Sequence, residues 1–256
     1  MQAEMRTVRV TEVKTATSNA PKSVNPDKRA AMSDAKPIDD GDAMSQFNLG
    51  VAYATGEGVP QNFEEAVKCF RKAAGKGDAE AQYNLGIIYA EGKGVARDEE
   101  EAVKWFRKAA GQGDAAAQCC MGIAYARGMG VPQDLEAAVR WFSGSADRGD
   151  AAAQHNLGVA YSEGEGVTQD RGEAVRWFRK AADQGDASAQ YKLGLAYSEG
   201  SGVPRDNVMA YMWWNLSAAS GIEFAIRANE LLAKMMTPAE LTEARRLSRE
   251  WFDTHR

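Results

Sequence analysis

The stretch that decides the fold occupies residues 78–113 and reads DAEAQYNLGIIYAEGKGVARDEEEAVKWFRKAAGQG. Its opening phrase, an aspartate followed seven residues later by Leu-Gly, recurs at intervals of 36 residues, with Met-Gly in the third unit. The phrase begins at Asp42, Asp78, Asp114, Asp150 and Asp186. Five consecutive units of constant length predict a repeat architecture, in which each unit buries its apolar faces against its neighbours.

Each unit predicts two helices. Asp78 suits the N-cap of a first helix, because its carboxylate can accept hydrogen bonds from N–H groups of the first turn. Ala81, Leu85 and Tyr89 follow at spacings of four, which places them on one helical face. Asp98 opens a second helix after a short loop that contains glycine. The short loop predicts that the two helices form an antiparallel pair.

A glycine in the middle of the first predicted helix needs an explanation. Gly86 should cost roughly 1 kcal/mol relative to alanine at this position. Equivalent glycines recur at Gly50, Gly122, Gly158 and Gly194. We expect close contact between the two helices of a unit to compensate, with small residues of the second helix facing the glycine. Those small residues are Ala66, Ala102, Ala138, Ala174 and Ala210.

The fold class predicted from these patterns is all-α. The units should form a right-handed superhelical α-solenoid of helix-turn-helix repeats, with five 36-residue units and C-terminal capping helices. Residues 1–41 contain three of the seven prolines and many polar residues, which predicts a disordered leader. Residues 42–221 hold the five repeats, and residues 222–256 form the C-terminal helical cap.

Both ends of the chain carry local signals. In the cap, residues 224–235 predict one helix, and the Thr-Pro-Ala-Glu sequence at residues 237–240 predicts a capping box that starts another. In the leader, Val8, Val10 and Val13 alternate as in a short strand.

The composition argues against several functional classes. The net charge of −5 offers no basic footprint for nucleic acid. Three cysteines, two of them adjacent at Cys119 and Cys120, form neither a disulfide framework nor a zinc motif. No apolar run reaches the length of a membrane span. The N-terminal residues lack the apolar segment of a secretory signal, which predicts a cytoplasmic protein, or a periplasmic or secreted one if a signal was removed.

The repeats resemble Sel1-like repeats, a subclass of tetratricopeptide-like helical repeats. The motifs that carry the resemblance are Ala-x-x-x-Leu-Gly-x-x-Tyr at residues 81–89, Gly-x-Gly-Val at 92–95 and Ala-Val-x-Trp-Phe-x-x-Ala-Ala at 102–110. The segment 210–238 is similar to the closing segment of bacterial members. The resemblance implies a non-enzymatic adaptor or scaffold for protein–protein interaction. Some cysteine-rich members carry paired cysteines and a β-lactamase label, but this sequence lacks those pairs.

The sequence motifs predict no catalytic residue, no metal site and no cofactor. The sequence SDAK at residues 33–36 matches the Ser-x-x-Lys pattern of penicillin-reactive enzymes, but it lies in the predicted leader without the partner motifs. A β-lactam or peptidoglycan hydrolase is therefore the alternative function. The sequence GKG at residues 92–94 lacks the third glycine of a dinucleotide loop. For Cys119 and Cys120, packing as two small residues and a redox role both stay open.

Aromatic residues recur along the second helices. They are Trp105, Trp141, Trp177 and Trp213, beside Phe70, Phe106, Phe142 and Phe178. Large apolar side chains at a constant position of a repeat predict packing within and between the repeats.

In tetratricopeptide-like pairs the first helix lines the concave side of the solenoid, and the resemblance carries this expectation over. One row across the units reads Phe47, Tyr83, Cys119, His155, Tyr191, and the next reads Asn48, Asn84, Cys120, Asn156, Lys192. Asparagine offers both a donor and an acceptor to a peptide backbone. Neighbouring aromatic rings offer contact area. A third row, Thr55, Glu91, Arg127, Glu163, Glu199, is mostly acidic and favours a basic ligand.

The sequence thus predicts a groove that binds a protein or an extended peptide, with no nucleic acid and no membrane span. The predicted binding residues are Asn48, Asn84, Asn156, Tyr83, His155, Tyr191, Lys192, Glu91, Arg127 and Glu163. Three alternatives remain open at this point. The asparagines can serve local helix contacts, the acidic row can be a solvated surface, and the solenoid can be a spacer without a specific ligand.

Overall fold

A computed structural model describes residues 42–255, and these residues form twelve helices and no strand. The helices are α1 (Ala43–Thr55), α2 (Phe63–Gly75), α3 (Ala79–Glu91), α4 (Glu99–Gly111), α5 (Ala115–Arg127), α6 (Leu135–Ala146), α7 (Ala151–Glu163), α8 (Arg171–Asp183), α9 (Ala187–Glu199), α10 (Asn207–Ala219), α11 (Glu223–Ala233) and α12 (Pro238–Thr254). The predicted all-α fold of helix pairs is confirmed. The predictions for the leader, including the valine strand and the SDAK motif, lie outside the described residues.

The helix ends follow the capping signals of the sequence. Asp78 Oδ1 accepts a hydrogen bond from the Ala81 N–H at 2.7 Å, and Asp98 Oδ1 accepts from the Glu101 N–H at 2.9 Å. Gly92 ends α3 in the left-handed conformation, with φ of 71°, and donates its N–H to the Ile88 carbonyl. A residue with a Cβ resists that conformation, which explains the glycine.

The described chain divides into two compact units, one ending at Gln133 and the other beginning at Asp134. In the first unit, α1 packs on α2, α2 on α3, α3 on α4 and α4 on α5. In the second unit, α6 packs on α7, and the same neighbour-to-neighbour packing continues through α11. Each unit therefore has the sequential helix packing of an α-solenoid. The right-handed superhelix stays a prediction.

The predicted C-terminal capping helices are present in the second unit. Both α11 and α12 pack against α10. The capping box is confirmed, because Thr237 and Glu240 exchange their side-chain and backbone hydrogen bonds at the start of α12. Helix α11 ends at Ala233, two residues before the predicted end. Pro238 accounts for part of this difference, since it favours an extended backbone at Thr237, where ψ is 157°.

The helical glycines lie against aromatic rings. A Cβ at Gly86 would lie 2.5 Å from Phe106 Cδ1, a distance that real Cβ atoms essentially never show. The same construction places a Cβ 2.7 Å from a ring atom in three other repeats. These pairs are Gly50 with Phe70, Gly158 with Phe178, and Gly194 with Trp214. Close contact between the helices was predicted correctly, but an aromatic ring makes it, and not the alanines expected to face the glycine.

A buried glutamine connects each first helix to the second helix of the preceding repeat. Gln82 Nε2 donates to the Ala74 carbonyl at 3.3 Å, and this bond recurs 36 residues apart. The other pairs are Gln118 with Ala110, Gln154 with Ala146, and Gln190 with Ala182. The acceptors belong to the last turns of helices, whose carbonyls have no partner within the helix. Each of these carbonyls also accepts the N–H of the glycine three residues on, so the glutamines add a second donor to helix ends at the boundary between repeats.

The second glycine of each loop allows a further close approach. In the first unit, a Cβ on Gly130 would lie 2.8 Å from the backbone nitrogen of Glu100. In the second unit, a Cβ on Gly166 would lie 2.9 Å from the backbone nitrogen of Glu136. Each loop thus rests on the start of the second helix in the preceding repeat.

Replacing Gly86 by alanine tests the ring contact. Helix propensity alone would stabilise the variant by up to about 1 kcal/mol. We expect the opposite, a fall of about 1–3 kcal/mol in the free energy of unfolding, because the methyl group overlaps the Phe106 ring. Urea unfolding followed by circular dichroism measures the change. Gly111→Ala is the matched control, since a Cβ at this helical position meets nothing within 4 Å. Equal midpoints for the two variants would contradict the assignment.

Replacing Gln154 by methionine tests the bond between repeats. The variant keeps the side-chain volume but removes one of the two donors to the Ala146 carbonyl, which retains the Gly149 N–H, and it also removes the acceptor of Gln184 Nε2. We expect a loss of about 1–3 kcal/mol in the free energy of unfolding. The control is Gln169→Met, which removes a donor to the Ser162 carbonyl at an exposed position, where water can replace it. A loss no larger than that of the control would refute the proposed role of the glutamine.

Candidate functional site

The predicted binding residues lie on the first helices of the repeats, on α1, α3 and α5 in the first unit and on α7 and α9 in the second. The asparagine row is not uniformly accessible. Asn48 is exposed, whereas Asn84 is 0% exposed and Asn156 is 9% exposed. Lys192, at the equivalent position of α9, is half-buried. That these residues bind a peptide stays a prediction.

In the row beside the asparagines, the rings of Tyr83, His155 and Tyr191 pack on the second helix of their own repeat. The ring of Tyr83 lies 6.0 Å from that of Phe106, and the ring of His155 lies 5.7 Å from that of Phe178. Tyr191 continues the row, with its ring 6.5 Å from that of Trp214. These partners are the same rings that contact the helical glycines. The aromatic row therefore takes part in the packing within each repeat, whether or not it also meets a ligand.

In the second unit, two polar side chains of α7 are almost fully buried. His155 is 6% exposed, and its Nδ1 lies 3.5 Å from Oδ1 of Asp186, the residue that caps α9. The Nδ2 of Asn156 is buried without a hydrogen-bond partner among the described residues. An amide donor that is removed from water and left unpaired costs about 1–3 kcal/mol.

The acidic row has a different character in each unit. In the second unit, Glu163 and Glu199 end α7 and α9 at equivalent positions, and both are exposed. In the first unit, Glu91 Oε2 lies 2.6 Å from Lys93 Nζ, and the equivalent position of α5 holds the exposed Arg127. Negative charge therefore accumulates along this row in the second unit and is offset in the first.

The aromatic residues of the second helices largely confirm the packing prediction. Phe70, Phe106, Phe142, Phe178 and Trp213 are buried. Trp105, Trp141 and Trp177 are partly exposed. Two of them carry a lysine of the next turn over the ring, Lys108 over Trp105 and Lys180 over Trp177, each 3.9 Å from the ring centroid.

Sequence reasoning missed a set of polar contacts between repeats. Arg107 donates to the Tyr125 hydroxyl at 3.4 Å, and the equivalent pairs Arg71–Tyr89 and Arg179–Tyr197 are also hydrogen-bonded. Each pair joins a second helix to the following first helix, 18 residues on. The constant spacing of arginine and tyrosine was the signal that could have revealed these contacts.

The three cysteines are free thiols. Cys69 and Cys119 are buried, and burial raises the pKa of the Cys69 thiol. Cys120 is half-buried and lies at an apolar crevice of the first unit, with Phe106, Ile123 and Met129 among its neighbours. The adjacent thiols thus differ in accessibility. Whether either has a redox role stays a prediction.

The described residues also bear on metal binding and on membrane crossing. They contain no group of three or more His, Cys, Asp or Glu side chains placed to hold a metal ion. None of their helices combines the length and the apolar character that a membrane crossing requires.

Comparison with known proteins gives one family and several similar structures. The Sel1 repeat model matches residues 43–78, 79–114, 115–150, 151–186 and 187–222. A protective antigen of uropathogenic Escherichia coli strains, which has an SLR fold, is 36% identical with a TM-score of 0.79. The match covers 84% of this chain but only 46% of the antigen, so the chain spans about half of that relative.

A second similar structure has nearly the same extent. A Sel1 repeat protein from Oxalobacter formigenes is 33% identical with a TM-score of 0.74. The match covers 89% of this chain and 91% of that protein. A search among curated proteins found no match.

Thiol labelling tests the difference between the cysteines. In the native protein we expect a maleimide to modify Cys120 first, because the other two thiols are buried. Peptide mapping by mass spectrometry at increasing times identifies the modified residue. Cys120→Ser is the control and should abolish the fast phase while leaving the slow one. Fast labelling of Cys69 or Cys119 in that variant would show that the described packing is wrong at those residues.

Proposed function

The chain belongs to the Sel1 repeat family, whose members are generally scaffolds for protein–protein interaction, and from this premise we propose that it is a non-enzymatic adaptor. Its ligand is an extended peptide segment of a protein partner. The segment lies along the first helices of the repeats. Each of the two units offers such a surface, and we treat each surface by itself.

The observation that carries this proposal is the unpaired Nδ2 of Asn156. A peptide carbonyl is an acceptor of the right kind, and a hydrogen bond from this donor would remove the penalty of an unsatisfied buried group. Lys192 lies 36 residues further on, on α9, and its ammonium can donate to a second carbonyl or to a ligand carboxylate. Tyr191 beside it adds an aromatic surface.

The charge along the second unit supports a basic side chain in the ligand. Glu163 and Glu199 present two exposed carboxylates at equivalent ends of α7 and α9. Exposed charges of this kind direct the ligand and set its register more than they add affinity. His155 packs on Phe178 and thereby holds this part of α7 against α8.

The first unit offers the equivalent positions with a different charge. Asn48 is the exposed asparagine there, and Asn84 and Tyr83 follow on α3. Glu91 and Arg127 carry opposite charges at the acidic row. We therefore assign the basic part of the ligand to the second unit.

A random dodecapeptide display library serves as the probe. We expect panning against the full chain to enrich peptides that contain Lys or Arg. Synthetic copies should bind Asn156→Ala/Lys192→Ala at least about tenfold more weakly, a loss of roughly 1.4 kcal/mol, as measured by isothermal titration calorimetry. Glu163→Gln/Glu199→Gln should weaken binding most at low ionic strength, because exposed charges are screened by salt.

The control variant is Lys68→Ala/Lys104→Ala, which removes two exposed lysines from second helices. Circular dichroism should show unchanged helicity in all variants. Failure to enrich any peptide, or peptide binding that is equal in the Asn156→Ala/Lys192→Ala variant and in the control, would overturn the proposed surface.

A further inference from the structure

Exposed apolar side chains concentrate on the capping helix α11. Among the described residues, five large apolar side chains are exposed, and four of them lie between residues 224 and 235. These four are Phe224 at 62%, Ile226 at 42%, Leu231 at 64% and Met235 at 71%. Single exposed apolar residues are common on protein surfaces, but a group of this kind marks an interaction site.

Three of these four residues form a stripe, and Ile226 lies on another side of the helix. Phe224, Leu231 and Met235 are separated by seven and four residues, so they follow one face of α11 and of the turn after it. Ala228, between Phe224 and Leu231, is partly buried against the core cluster at the border of this face. The adjoining side of the helix is already used, because Ala225 and Leu232, each one residue after a member of the stripe, are buried in a core cluster with residues of α10 and α12. The stripe therefore borders the buried face of α11, and the described residues leave the stripe exposed.

Charged residues alternate in sign beside the stripe. In chain order they are Glu223, Arg227, Glu230 and Lys234, and all four are exposed. Their spacings of four, three and four place them along one side of the helix. If an identical helix is laid antiparallel on the first, Glu223 faces Lys234 of the second helix, and Arg227 faces Glu230. The order of charges is thus self-complementary under a two-fold axis between residues 228 and 229.

We propose that the exposed face of α11 binds α11 of a second copy of this chain. The two helices pack antiparallel about a two-fold axis, so that the same surface is used on both chains. Phe224, Leu231 and Met235 of each copy cover the stripe of the other, and the alternating charges fix the register. One helix per copy is a small contact, so the dimer is reversible.

Sedimentation velocity of the full chain over a concentration series tests the proposal. We expect a monomer–dimer equilibrium, and we expect Leu231→Ser/Met235→Ser to weaken it by at least about tenfold. Phe224 is left unchanged in this variant, because its ring also contacts Tyr191. The control is Met44→Ser, which removes the fifth exposed apolar side chain, on α1. A wild-type chain that stays monomeric up to about 1 mM, or a dimer that the double variant does not weaken, overturns the proposal.

Charge reversal tests the two-fold register. Arg227→Glu and Glu230→Arg each place like charges together in a homodimer, so each variant alone should dimerise less than the wild type. An equal mixture of the two variants should form a heterodimer, because both contacts across the axis then join opposite charges. Arg246→Glu on α12 makes the same charge change away from the stripe and should have no effect. A mixture that associates no better than its components rules out the antiparallel register.

Discussion

The contact between a glycine of the first helix and an aromatic ring of the second is the constraint on which four of the five repeats depend. A methyl group at Gly86 would overlap the Phe106 ring, so glycine at this position sets how closely the helices approach. The loss in helix propensity is small, about 1 kcal/mol, and the buried ring more than offsets it through its large apolar surface. The contact recurs in both units, with tryptophan in place of phenylalanine at Trp214.

The same rings connect the packing to the proposed binding face. Tyr83 and His155 lie against Phe106 and Phe178 on one side and belong to the predicted ligand row on the other. A substitution in this row therefore affects stability as well as binding. Asn156 and Lys192 separate the two effects better, because their proposed role rests on polar groups and not on ring packing.

The end of the solenoid is built differently from its repeats. Helix α11 lacks the capping aspartate of the repeats, and Ile222 at its N-cap makes no side-chain hydrogen bond. Its inner face joins the core with Ala225 and Leu232, as a cap should. A neighbouring face, with Phe224 and Leu231, is exposed and apolar, whereas a terminal cap is ordinarily polar, since polar outer faces keep solenoids soluble. The charges beside that face limit which partner can cover it.

The sequence by itself determined the all-α fold, the repeat length, and most of the helix ends, because aspartate and glycine act through local backbone geometry. It also indicated that Gly86 needs a close neighbour. Only the tertiary structure decided that this neighbour is an aromatic ring and that Gln82 donates a hydrogen bond to the end of the preceding helix. It also decided that Asn84 is buried while Asn48 is exposed. These properties depend on contacts between residues that are distant in the chain. Identical residues at equivalent positions of successive repeats do not reveal which atoms of neighbouring helices are in contact.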